Sequence, residues 1–340
     1  MTYKTIFKGQ LEFGSPKSYA KALQMYQHRV ETFYKHEVLF EEEDIFNEEA
    51  LSLSIPRIVT HSIEKNWKNT ASLFEYVAQY AMSGTLYTWV MDEREIKHYV
   101  KIEPDSDKVA VKSYLKGREL IKVGGKEKEA MDALTKAIEK FERHAQAYER
   151  RGYVNLKLKN YDDAIYDFSK SIDLNPKICQ PHLGRAKVRM IQNDWKSAIA
   201  DLEQSIKKSI PLMPIYWQSR RIKAECHINL KEFDESAKEL KFFLARKFTE
   251  DNPNFAWRKQ AYFSYGKSLL EIGEHKESVI AFNKAIDLGM KEESGPDADQ
   301  YLYRGIARQR GGESGFTKDW AEAAERGSKE ATKLLELNNA

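Results

Sequence analysis

Residues 160–176, NYDDAIYDFSKSIDLNP, set an aromatic, Tyr161, ahead of Ala164, Phe168 and Ser171, and close on a proline. The spacing predicts one amphipathic helix with a stop signal. Just upstream, AYERRGYVNLKLK (147–159) carries Tyr148, Gly152 and Leu156 at i, i+4 and i+8, a second helical stripe. Moved along by 34 residues the pattern returns: Gly152 becomes Ala186, Tyr161 becomes Trp195, Ala164 becomes Ala198 and Phe168 becomes Leu202. A fixed period of helix pairs predicts an array of repeats, because one pair cannot bury its own apolar face.

Further copies follow from the 12-residue step between the small residues of the two helices. Ala224 and Ser236 mark one, with Phe233 and Leu240; Gly266 and Ser278 mark another, with Phe282 and Ala285. A looser copy holds Gly117, Ala130, Leu134 and Ala137, and a degenerate one runs from Gly305 to Trp320. These residues resemble the tetratricopeptide repeat (TPR) family. The resemblance implies an all-α superhelix of about six helix pairs over residues 108–337, closed by a capping helix within WAEAAERGSKEATKLLELNN (320–339). Extra residues near 209–216, 246–257 and 290–297 predict longer linkers, and Phe243 stands where a small residue is usual.

Residues 1–107 read differently. YKTIFKGQLEF (3–13) alternates, with Tyr3, Thr5, Phe7, Leu11 and Phe13 on one face, which predicts a half-buried strand. Ser15-Pro16 supplies an N-cap and N1 proline for a helix with the stripe Leu23, Tyr26, Val30 and Phe33. A strand near Ala50 to Ile55, a helix from about Ile63 to Met82 and a hairpin over 85–104 complete a small α+β domain, making the chain mainly α overall.

At 340 residues, 41% hydrophobic and 31% charged, the composition is that of a soluble globular protein. The amino terminus lacks a signal-peptide pattern and no window is apolar enough to span a bilayer, so the expectation is cytoplasmic. Net charge is +3, but residues 1–110 hold 13 Lys and Arg against 17 acids, leaving the remainder basic. Cys179 and Cys226 have no CxxC neighbour and predict core thiols rather than zinc ligands or a disulfide.

Sequence-local catalytic motifs are missing. Gly266-Lys267-Ser268 lacks the earlier glycine of a phosphate loop, and neither GxSxG nor HExxH occurs. No enzyme activity, metal or cofactor is expected. His28, His36, His61 and His98 near the acidic run Glu41 to Asp44 leave a spatially assembled site in the first domain as an alternative, with the repeats recruiting its target. Tyr87, Trp89 and Tyr99 have the chemistry to stack on bases, yet without basic residues beside them in sequence the expectation is packing against the helices, and nucleic acid is disfavoured as a partner.

The family resemblance implies that defined helix-A positions line a concave groove that grips peptides. The second position reads Gln146, Gln180, Gln218 and Gln260 in four units. The fifth and ninth give Arg118, Glu149, Tyr153, Lys187, Arg221 and Lys267, and the thirteenth Lys122, Lys157 and Arg310. Such a surface is polar and basic, which predicts an extended, acidic peptide ligand and an adaptor function, with RNA binding by the same groove as an alternative. An equal alternative makes the glutamines a structural ladder. Arg150 departs from the carboxylate clamp that the family uses for chaperone tails.

Overall fold

The computed structural model describes residues 1–93, 95–290 and 297–339, and the chain divides into two compact units, Met1–Lys177 and Ile178–Ala340. The linker expected near 290–297 falls largely outside the described residues.

The first unit opens with β1 (Thr2–Glu12) and α1 (Pro16–Arg29), whose first turn is capped where Ser18 N donates to Ser15 Oγ at 3.2 Å. A π-helical turn (Val30–Tyr34) follows, then the short α2 (Glu42–Ile45), β2 (Phe46–Asn47), β3 (Ser52–Ile63), α3 (Glu64–Ala78), β4 (Ser83–Asp92) and β5 (Glu95–Ile102). The strands form one antiparallel sheet in the order β2-β3-β1-β4-β5. One sheet face packs on α1 and α3: Phe7, Leu11, Phe13 and Leu53 meet Tyr26, Leu73, Phe74 and Val77, all buried. Burying such side chains contributes about 1.5–3 kcal/mol each.

Two details differ from the sequence expectations. β3 runs to Ile63 instead of ending near Ile55, because the register shift opposite Phe7 and Gly9 lets the strand pass Pro56 without a lost ladder bond at its centre. Phe33 leaves the apolar stripe: the π-helical turn rotates it outward, 62% exposed, with the Arg29 guanidinium 5.0 Å from its ring. Where β1 crosses β4, the backbones come too close for side chains. A Cβ on Gly9 (φ 144°) would sit 2.0 Å from Thr85 O, and one on Gly84 (φ 113°) 2.1 Å from Gln10 O.

Four helices complete this unit, α4 (Val109–Leu120), α5 (Glu127–Lys140), α6 (Ala145–Lys157) and α7 (Tyr161–Leu174). They form two antiparallel pairs. The small residues of each first helix admit a large side chain from the second: a Cβ on Gly117 would meet Leu134 at 2.6 Å, and one on Gly152 would meet the Phe168 ring at 2.9 Å.

The second unit holds α8 (Gln180–Ile191), α9 (Trp195–Lys208), α10 (Pro214–Asn229), α11 (Phe233–Ala245), a 3-10 turn (Phe255–Trp257), α12 (Arg258–Glu271), α13 (His275–Gly289), α14 (Ala298–Arg310), α15 (Phe316–Glu325) and α16 (Lys329–Asn339). The same fit recurs, Gly266 under Phe282 and Gly305 under Trp320. Phe243, large where a small residue is usual, is fully buried against Phe248 from the 246–257 insertion, ring centroids 5.0 Å apart. Ala331, Leu334 and Leu335 of α16 cover Tyr301, Leu302 and Trp320, so α16 caps the last pair. Gly266-Lys267-Ser268 lies inside α12, which removes any phosphate-loop reading.

Candidate functional site

A polar ladder invisible to the spacing argument joins the two helices within several pairs. Asp167 of α7 receives Arg151 of α6 through two nitrogens, at 2.8 and 3.0 Å. Asp201 of α9 receives Arg185 in the same way and also Arg189 at 2.7 Å, with His182 Nδ1 3.3 Å away. Asp319 of α15 receives Arg304 and Arg308. All three carboxylates are buried, so each is a paired charge holding helix A to helix B. Asp167, Asp201 and Asp319 were not singled out from the sequence, though Arg151 to Asp167 and Arg185 to Asp201 share a spacing of 16 that the repeat alignment carries.

In the first unit, several candidate groove residues meet the sheet domain of the same chain. Gly84 N donates to Gln146 Oε1 at 2.9 Å, and Gln146 Nε2 donates to Thr85 Oγ1 at 2.6 Å. Arg118 Nη1 donates to Glu103 Oε2 at 2.8 Å, and Lys101 pairs with the same oxygen at 2.8 Å. Burial pushes the Glu103 carboxyl up, but Lys101 and Arg118 outweigh it and hold the group below its ordinary value. Glu149 is buried (3% exposed) beside Arg150, whose Nε lies 3.1 Å from Glu149 Oε2; burial raises its carboxyl, with Arg150 and Lys101 pulling the other way. Tyr153 packs edge-on against Phe168, centroids 5.0 Å apart. Lys157 Nζ donates to Ile121 O at 3.0 Å, and the exposed Lys122 pairs with Glu119.

In the second unit, Gln180, Lys187, Gln218 and Arg221 fall on α8 and α10, and Gln260, Lys267 and Arg310 on α12 and α14. Lys187 and Arg221 lie close enough for their charges to interact. Burial first, then the Arg221 charge, lowers the Lys187 ammonium from its ordinary value; burial lowers the Arg221 guanidinium as well, with Glu225 opposing. Arg221 Cζ stacks 3.8 Å above the Trp257 ring, which the 246–257 insertion delivers. Arg221 Nε is buried without a hydrogen-bond partner among the described residues. Lys267 Nζ sits 4.7 Å from the Tyr303 ring, itself on the following first helix. Gln260 Nε2 donates to Ser264 Oγ at 3.5 Å, and Arg310 is exposed. The glutamines therefore differ from one another: Gln146 holds a strand and Gln260 a half-buried serine of its own helix, so no common hydrogen-bond ladder links those two.

The histidines separate. His28 and His36 line a surface cavity of ≈ 450 Å³ with Glu31, Glu41 and Glu42, whereas His98 stacks on Trp67, centroids 5.4 Å apart, and faces Glu64. Among the described residues, no group of three His, Cys, Asp or Glu side chains converges to hold a metal ion. Cys179 and Cys226 are buried free thiols, and burial pushes the Cys226 thiol up to about 12. None of the described helices is long and apolar enough to cross a membrane.

Comparison with known proteins matches the tetratricopeptide repeat model at residues 145–178 and again at 259–288. Similar solved structures include YrrB, described as a TPR protein with an unusual peptide-binding site, at 16% identity over 62% of this chain and 98% of that one, TM-score 0.51. The type IV pilus biogenesis factor PilW aligns at 17% identity over 67% of this chain and 99% of its own, TM-score 0.50. PilF of Pseudomonas aeruginosa aligns at 14% identity over 67% of this chain and 97% of its own, TM-score 0.53. At these identities the likeness shows a shared fold. With the repeat model matched twice and four of the described helix pairs seating a large helix-B side chain on a helix-A glycine, residues 145–178 and 259–288 are tetratricopeptide repeats within a helical array of that fold.

Proposed function

We propose that this protein is a non-catalytic adaptor whose second unit grips an extended, acidic segment of a protein partner along its first helices, α8, α10, α12 and α14. The observation that carries the reading is the meeting of Lys187 and Arg221. Two cations from consecutive repeats are held in a partly desolvated place, where burial disfavours the charged form of both and the Arg221 charge further disfavours that of Lys187. A carboxylate bound between them would relieve that repulsion, and the face of Trp257 would fix the guanidinium fork for it. Gln218 and Gln260 offer paired donor and acceptor groups to the backbone of a bound segment. YrrB, described as having a peptide-binding site, supports peptide binding on this kind of array.

The first two repeats serve a different purpose in this reading. Gln146 and Arg118 already hold β4 and the end of β5, so residues 1–107 act as a positioning module fastened to residues 108–177, and the functional division falls near residue 107. The test is a pull-down from native cells with the full chain and with Lys187→Glu and Arg221→Glu together. Loss of a captured partner in the double variant is expected; an unchanged set of captured proteins would refute the groove reading.

A further inference from the structure

The outer face of the amino-terminal sheet carries a second surface with different chemistry. Its rows follow from strand register. Trp89 pairs with Tyr99 on one side and with Ile6 on the other, and Ile6 pairs with Val59, giving an apolar row across four strands. On one flank Tyr87 lies between Lys101 and Lys8; on the other Met91 lies between Ile96 and Lys4, and Lys4 faces His61. Alternation puts Arg57 on the same face as Val59. The opposite face is the one that meets α3, since Trp67 Nε1 donates to Thr88 Oγ1 at 2.5 Å and His98 stacks on Trp67. So Tyr87, Trp89 and Tyr99 do not pack against the helices of the domain, as their sequence suggested.

Instead the three rings stack on one another. Tyr87 and Trp89 are 5.9 Å apart and 14° from parallel; Trp89 and Tyr99 are 5.5 Å apart and 25° from parallel. Trp89, in the middle, is 2% exposed, while Tyr99 at the edge is 51% exposed and offers the end of the stack. The lysines missing beside these aromatics in the sequence come from the neighbouring strands. Within residues 1–110, where acids outnumber bases 17 to 13, this face is basic among the described residues: its acids there are the buried Glu12 and the ion-paired Glu103. The helices that follow meet its far end, through Thr85 and Glu103, and Lys177 Nζ donates to Ser54 Oγ at 2.9 Å.

We propose that this face binds single-stranded nucleic acid, with a base continuing the stack at Tyr99 and phosphates meeting Lys4, Lys8 and Arg57. Ring stacking beside cations is the chemistry that holds unpaired bases on a sheet, and a duplex, whose bases are already stacked on each other, cannot use it. Residues on one face repeat about every 6.8 Å along a strand, which suits the phosphates of a stretched single strand.

The test uses the full chain with fluorescein-labelled U12 RNA and dT12 DNA, titrated by anisotropy from about 50 to 200 mM salt. Saturable binding that weakens steeply with salt is expected, and the tighter of the two oligomers identifies the natural strand. Tyr99→Ala, at an exposed edge position, should weaken binding about tenfold, and Lys4→Glu should weaken it most at low salt, with unchanged thermal melts. Lys187→Glu with Arg221→Glu should leave it unaltered, which keeps this surface separable from the peptide groove. The proposal is overturned if neither oligomer binds, if Tyr99→Ala and Lys4→Glu bind as the parent does, if the groove variant alone loses binding, or if the face instead captures phosphatidylserine vesicles.

Discussion

Gly152 of α6 lies directly beneath Phe168 of α7, so that a single added carbon would stand 2.9 Å from two ring atoms of a side chain that is itself fully buried. The relationship explains why one repeat tolerates glycine in mid-helix despite a propensity cost of about 1 kcal/mol against alanine. Gly152→Val is therefore expected to destabilise the protein by about 1–3 kcal/mol, since neither the ring nor the backbone can yield without opening the helix pair. Urea unfolding followed by circular dichroism measures this as a lower midpoint; an unchanged midpoint would show that Phe168 repacks freely.

Gln146 spans from the first helix of the second pair to β4, accepting from Gly84 N and donating to Thr85 Oγ1. Gln146→Ala should cost about 1–3 kcal/mol of local stability by leaving the Gly84 amide without its acceptor. The direct readout is hydrogen exchange at Gly84, expected to accelerate at least fivefold, while amides in the centre of β1 keep their protection. Equal acceleration across the sheet would mean global destabilisation instead.

Helix pairs, the capping helix, the alternation of β1 and the N-cap at Ser15 were all legible, because each rests on a period or a local signal within about 15 residues. The groove positions drawn from the repeat spacing gave no sign that Gln146 and Arg118 answer to Gly84, Thr85 and Glu103, partners some 15 to 60 residues away whose approach depends on how the sheet meets α4 and α6. The aromatic face failed for the same reason. Lys8 and Lys101 flank Tyr87 only through register, and register is a tertiary quantity. Phe33 was misplaced because a π-helical turn breaks the 3.6-residue period on which the stripe was drawn.

Asp201 anchors two guanidiniums and an imidazole, a denser arrangement than Asp167 with its single arginine. Asp201→Ala leaves Arg185 and Arg189 facing each other in a mostly buried place and should cost about 3–5 kcal/mol. Arg189→Ala, which leaves the bidentate Arg185 pair intact, should cost clearly less. Comparing the two variants by chemical unfolding separates a ladder that fastens helix A to helix B from a surface ion pair, for which both losses would stay below about 1 kcal/mol.

Two buried groups of the first unit push the pH dependence of stability in opposite directions. Burial raises the Glu12 carboxyl from 4.5 to about 7, with Arg143 opposing. Between those values the folded chain holds a proton that the unfolded chain has released, so this group makes stability fall as pH rises, by at most about 1.4 kcal/mol per pH unit. His144, which caps α6 by accepting from Ala147 N at 3.3 Å, is driven by burial from 6.5 down to about 3. Between those values the unfolded chain holds the extra proton, so this group makes stability rise with pH. From about pH 4.5 to 6.5 the two contributions largely cancel, and the parent protein should show a shallow profile there. Glu12→Gln removes the first and leaves the second, so unfolding free energy should climb with pH across that window and level off above 6.5, with the variant more stable than the parent at pH 7.5. A profile for Glu12→Gln that runs parallel to the parent from pH 4.5 to 7 would mean that Glu12 ionises as readily in the folded chain as in the unfolded one.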